Sequence, residues 1–148
     1  MGKFKFILVT CVVFFAFGFI SSPDNWDSST PKVIPTVQDT NWVVPEAANA
    51  LVNPMEVDEF ALLEATDIYK QHCRSCHGRL GDGKGAGAAE VSTPVTDFTL
   101  AEFHEQSDGS MFWKISEGRN DMKPFKGKLS EEEIWLTVIF IKDFAPKE

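Results

Sequence analysis

Cysteine is scarce in this chain: three residues among 148, at positions 11, 73 and 76. Cys11 sits in an apolar N-terminal run and the other two share one short motif, so no pair remains for a structural disulfide. Basic charge is also in deficit. Lys and Arg number 14 against 22 Asp and Glu, for a formal net charge of -8. No basic stripe dominates, which speaks against a nucleic-acid partner. There is no internal repeat and no convincing strand pattern, so helices and loops are the expected elements. The length leaves room for one small domain, and the composition is ordinary for a globular protein.

A long apolar run is lacking as well. The stretch from Phe6 to Ile20 is free of charge, yet shorter than the roughly 20 residues that span a bilayer. Lys3 and Lys5 precede it and Ser21-Ser22 follows, the order of parts in a secretory signal peptide. Residues 1–22 therefore read as a signal peptide or an uncleaved membrane anchor. Leu8-Val9-Thr10-Cys11 is not read as a lipidation site, because most of the apolar stretch follows Cys11.

Residues 23–57 hold five of the eight prolines, at 23, 31, 35, 45 and 54. Proline blocks regular helix and favours extended backbone, so this unit reads as a linker or strap. Its second half is less bland. Trp42-Val43-Val44 is apolar, and Pro45 to Leu51 suits a short helix with proline at its first position. Either this is a spacer, or it is a strap that packs on the following domain or on a partner.

The domain proper is expected over residues 58–148. A first helix is predicted from Asp58 to Gln71, with Phe60, Leu63, Ile68 and Tyr69 on its apolar face. A glycine-rich loop follows from Gly78 to Ala88. It lacks the Lys-Ser or Lys-Thr and the preceding strand of a phosphate-binding loop. A short helix over Leu100 to Gln106 and a better one over Gly109 to Glu117 come next, the latter ended by Gly118. Ser130-Glu131-Glu132-Glu133 is a capping box that opens a last, strongly apolar helix.

Between the first helix and the loop stands Cys73-Arg74-Ser75-Cys76-His77. Two cysteines two residues apart, followed at once by histidine, read as a c-type haem attachment motif. Two thiols in one tight turn reach the two vinyl groups of a porphyrin, and the next imidazole lies where it binds iron. A zinc site would draw on His72, Cys73, Cys76 and His77, which are crowded into six residues with no second pair downstream. A thioredoxin-like disulfide would want a strand before the motif, and here a helix precedes it. The sixth iron ligand expected is Met122, in the irregular stretch Gly118 to Phe125, stiffened by Pro124. Met111 lies among aromatics on a helix and reads as packing. His104 is a rival ligand, and His72 is expected to point outward.

From about Asp58 to Phe144 the chain resembles a class I monohaem cytochrome c of the bacterial branch. The matching pieces are Ile68-Tyr69, Cys73-Arg74-Ser75-Cys76-His77-Gly78, Gly81-Asp82-Gly83, Ser107-Asp108-Gly109 leading into Phe112-Trp113-Lys114-Ile115, the Met122 loop and the Trp135-bearing helix. The resemblance implies an all-α fold around one covalent haem c. It carries over thioethers at Cys73 and Cys76, the proximal ligand at His77 and the distal ligand at Met122. It also implies electron transfer rather than catalysis. His77 is expected to give its other ring nitrogen to a backbone carbonyl. Trp113 and Arg119 are candidate propionate partners.

Lys70, Arg74, Arg79 and Lys84 surround the motif, and Arg119, Lys123, Lys126 and Lys128 surround Met122. On an otherwise acidic chain they form a basic collar suited to a redox partner with an acidic docking surface. A respiratory complex, and the membrane through the N-terminus, are the other partners considered. Export fits the motif, with a place in the periplasm or on the outer face of the cytoplasmic membrane. The alternatives are a structural or assembly subunit of a larger complex, and a haem enzyme or sensor with a labile distal ligand.

Overall fold

The computed structural model describes residues 42–147. All of them belong to the second of the chain's two compact units, Ile34–Glu148. The basic start, the apolar run with Cys11, and the strap before Trp42 lie outside the described residues.

Five α-helices follow one another: α1 (Glu46–Asn49), α2 (Glu59–His72), α3 (Arg74–His77), α4 (Asp108–Glu117) and α5 (Glu131–Lys142). Two 3-10 turns, Ala86–Glu90 and Ala101–Glu105, interrupt the long connection between α3 and α4. Among the described residues there is no strand, only two isolated bridges. The fold is all-α.

Local chemistry sets the helix ends. Asp58 caps α2 by accepting from Ala61 N at 2.7 Å, and Ser107 caps α4 by accepting from Ser110 N at 3.0 Å. At α5 the capping box is complete: Glu133 N donates to Ser130 Oγ, and Ser130 N donates to the Glu133 carboxylate at 2.7 Å. Pro45 stands one position earlier than expected, as the cap of α1, where its carbonyl accepts from Ala48 N and Asn49 N.

Helix α5 is the core of the molecule. Ile134 to Val138 are buried without interruption, and Ile141 follows one turn later. A helix apolar on nearly all sides must be enclosed. It packs against α2 and α4, with Phe112 stacked on Trp135 at 4.1 Å and Tyr69 against Phe140 at 4.7 Å. Helix α2 departs from the expected face. Ala65, Ile68 and Tyr69 are buried, but Phe60 is 80% exposed and Leu63 is 59% exposed. At 100° per residue, Ala61, Ala65, Ile68 and Tyr69 form one stripe, whereas Phe60 and Leu63 fall beside Glu64 and Asp67 on another.

The described part of the strap is docked. Ser107 Oγ donates to Asn49 O at 2.8 Å and lies 2.7 Å from Asn49 Oδ1, while Asn53 Nδ2 donates to Trp135 O at 3.1 Å. Met55 packs on the core. Helix α4 approaches so closely that a Cβ on Gly109 would overlap the carbonyl of Ala48.

Candidate functional site

Cys73 is the junction between α2 and α3, and its amide donates to Tyr69 O at 2.9 Å. His77 N then donates to Cys73 O at 3.0 Å, so the motif is a single tight turn. The turn is pinned from both sides. The buried Tyr69 hydroxyl donates to Gly78 O at 2.8 Å. Gly85 N donates to Cys76 O at 3.0 Å, and Gly85 lies so near Ser75 that a Cβ there would overlap the Ser75 carbonyl. Only glycine permits that approach. Burial, then the Cys73 and Asp82 charges, push the Tyr69 hydroxyl above its ordinary range, which keeps it a donor.

Cys73 and Cys76 are not joined to each other. Burial, and then the neighbouring Cys76, push the Cys73 thiol up to about 12. Among the described residues no three His, Cys, Asp or Glu side chains are grouped to hold a metal ion. His72 is exposed, and its ring meets the edge of Phe125.

His77 lies with its ring parallel to Phe98, centroids 4.4 Å apart. Its Nδ1 is 3.4 Å from Thr96 O, the backbone carbonyl partner the sequence led us to expect. Burial lowers its pKa, and the Thr96 contact opposes that shift. Neutral imidazole with one nitrogen turned to a carbonyl leaves the other as a donor of a lone pair.

Met122 comes from a different part of the chain. Gly118 ends α4 and a four-residue turn follows, in which Arg119 N donates to Met122 O at 2.8 Å and Met122 N to Arg119 O at 2.9 Å. Asn120 takes the left-handed conformation inside the turn, φ 52°. The turn is fastened to the segment before Thr96. The Asp121 carboxylate accepts from Ser92 N (3.1 Å), Ser92 Oγ (2.9 Å) and Thr93 N (2.9 Å). Those bonds hold its pKa below the usual carboxylate value.

Cys73, His77, Thr96, Met122 and Phe125 line one cleft with two lobes, and Cys76 lines the wider of them. The wider lobe has a volume of about 570 Å³, within the ~300–1,000 Å³ of small-molecule sites, and the inner lobe is tighter at about 90 Å³. The inner lobe's walls are apolar: Phe98, Phe103, Met111, Ile115 and Ile141. Met111 thus packs, as expected, but at the cleft wall. His104 does not join them. Its Nε2 lies 2.6 Å from Phe98 O, and its ring meets Phe103 edge-on. Trp113 is half-buried and is not among the cleft-lining residues, whereas Arg119 is. In its place stands Trp42, which lines both lobes, with Lys114 Nζ and Arg119 Cζ each 5.8 Å from its ring centroid. Sequence reading missed this role. The available signal was a tryptophan in an apolar triplet within a proline-rich stretch.

An apolar slot offering two unbridged cysteine sulfurs, an imidazole and a thioether fits a covalently attached porphyrin. Residues 61–141 match the family model described as "Cytochrome C oxidase, cbb3-type, subunit III", and the chain belongs to that family of c-type cytochrome domains. A cytochrome c6 of Anabaena variabilis is 30% identical over 81 residues, covering 55% of this chain and 88% of the relative. A cytochrome c6 of Parathermosynechococcus lividus is 23% identical over 86 residues, 58% of this chain and 93% of the relative. Among solved structures, the KustC0563 c-type cytochrome aligns at TM-score 0.50 with 32% identity, over 55% of this chain and 98% of that one. A chain from the Kuenenia stuttgartiensis reducing HAO-like protein complex Kustc0457/Kustc0458 aligns at TM-score 0.55 with 25% identity. That match covers 72% of this chain and 53% of the other. The cofactor is covalent haem c, one per chain, and the function at family level is electron transfer.

Proposed function

We propose that this protein is a one-electron carrier in which Cys73 and Cys76 hold the haem as thioethers, His77 is the proximal ligand and Met122 the distal ligand. The observation that carries the reading is that the attachment turn and the Met122 turn, 45 residues apart, line one apolar cleft. Held by His77 and Met122, the haem would supply one-electron chemistry at a raised potential. The chain's own residues do the rest. Thr96 orients His77, Asp121 fastens the Met122 turn, and the apolar walls exclude water. With His77 and Met122 both engaged, a bound haem would leave no place for substrate at its iron, in keeping with a carrier rather than an enzyme.

Partner docking falls to the basic residues at the rim. Arg119, Lys123 and Lys128 line the wider lobe, and Arg74 and Arg79 are exposed. The collar is weaker than the bare sequence suggests, because Lys70, Lys84 and Lys126 face Asp67, Asp82 and Glu117 at 3.1, 3.9 and 3.5 Å. An acidic redox partner is the proposed counterpart, and its reduction rate is expected to fall as salt rises. Residues 1–22 serve export to the periplasm or anchoring at the outer face of the cytoplasmic membrane, residues 23–57 form the strap, and 58–148 form the haem domain. Among the described residues no helix is long and apolar enough to cross a membrane. A second reading, as a subunit of a larger complex, is favoured by the likeness to a chain of the HAO-like complex, which covers 72% of this chain.

Denatured, extensively washed protein is expected to retain haem by mass and colour. The oxidised native protein is expected to show the weak far-red thioether-to-iron band, which Met122→Ala abolishes. Absence of pigment refutes the attachment, and a band that survives Met122→Ala refutes the distal ligand.

A further inference from the structure

We propose that Trp42, carried on the strap, closes the mouth of the haem cleft and sets the haem potential by keeping water out. The inference rests on the haem reading above, but it concerns a residue outside the family domain. The family match begins at residue 61, and Trp42 lies well before it. Yet Trp42 is the strap residue that lines both lobes of the cleft, together with Cys73, His77 and Met122. A residue recruited from outside the domain completes the site.

The placement is over-determined. Behind Trp42 the chain turns directly into α1, whose first turn hangs on the Pro45 carbonyl. Helix α1 is bonded to the N-terminal cap of α4 through Asn49 and Ser107, and fits against it so closely that Gly109 has no room for a side chain. Asn53 then ties the strap to the carbonyl of Trp135 on α5. In front, the indole is held by two cations from two different elements, Lys114 on α4 and Arg119 in the Met122 turn, each 5.8 Å from the ring centroid. Lys114 is itself fixed, donating to Gln106 Oε1 at 2.9 Å. Gln106 and Lys114 line the same lobe, so the polar groups at this end of the cleft are organised around the indole.

The consequence is electrostatic. Water admitted to a haem cleft solvates the more charged oxidised state better than the reduced one, and lowers the potential. Removing the indole opens the mouth. Trp42 acts through water access and is a positioning residue.

The test uses the full chain with its covalent haem. Trp42→Ala is expected to lower the midpoint potential and to speed oxidation of the reduced protein by a small soluble oxidant such as ferricyanide. The far-red band should persist, because Met122 keeps its own turn. Trp42→Phe, which preserves a ring, is expected to restore most of the potential. Asn49→Ala combined with Asn53→Ala leaves Trp42 in the sequence but loosens its strap, and is expected to shift the potential the same way. This pair keeps the test alive should Trp42→Ala fail to fold. A wild-type potential and oxidation rate in Trp42→Ala, with pigment and far-red band intact, overturns the shielding role while leaving the haem reading standing. Loss of the band in Trp42→Ala also overturns it, since the indole would then be supporting Met122. Wild-type protein without covalent pigment overturns both.

Discussion

Gly118 offers the sharpest test of how the Met122 turn is held. It ends α4 at φ 63° and ψ 174°, a combination essentially restricted to glycine. An alanine there pays twice. Forcing a side chain into such a conformation costs about 1–3 kcal/mol. The added Cβ would also overlap the Met122 carbonyl and come within 2.5 Å of Pro124 N and 2.6 Å of the Lys123 carbonyl carbon. These are backbone atoms, so relief requires the turn itself to move. Moving it breaks the paired bonds between Arg119 and Met122, at 2.8 and 2.9 Å. For a domain of this size 1 kcal/mol corresponds to roughly 4–8 °C in melting temperature. Gly118→Ala is therefore expected to melt at least about 4 °C lower. Its far-red band should weaken, because the thioether is displaced with the turn. Thermal melts followed in the far-ultraviolet, alongside the oxidised visible spectrum, measure both. An unchanged melting temperature with an unchanged band would refute the argument that Gly118 holds the distal turn.

Three further outcomes can be checked separately. Ser130→Ala removes half of the capping box of α5 and should cost ~0.5–2 kcal/mol in denaturant melts without changing the haem spectrum. Tyr69→Phe strips the hydroxyl from the buried Gly78 carbonyl and should cost ~1–3 kcal/mol, and a wild-type stability would show that the carbonyl finds another donor. Asp121→Ala unfastens the Met122 turn from Ser92 and Thr93. Carbon monoxide should then bind the reduced protein faster than wild type, as seen by flash photolysis, and an equal rate would show the turn to be self-supporting.

Much of the fold was legible because its signals are local. The Ser130 capping box acts on an amide three residues away, so it follows from residue type and position; the caps at Asp58 and Ser107, seen in the structure, use the same local chemistry. The Cys73 to His77 turn is equally self-contained, since its spacing alone determines which groups share a turn. The facing of α2 was less legible. Phe60 and Leu63 are apolar enough to suggest a core stripe, but the buried stripe is the one that meets α5, and it is built partly from alanine. Small residues carry little pattern in the sequence and much of the packing, because they let helices approach. His104 was an open rival until its ring proved to be tied to the Phe98 carbonyl.

What the chain alone determined was chemistry confined to a few neighbouring residues: the attachment turn, the helix ends and the all-α class. What tertiary structure decided was every relation between distant segments. Trp42 and Met122 are 80 residues apart, and Asp121 lies 28 and 29 residues from its partners Thr93 and Ser92. No local rule links such positions. They meet because α5 gathers α2 and α4 around its apolar surface, and because the strap, bonded at Asn49 and Asn53, delivers an indole to the gap that remains.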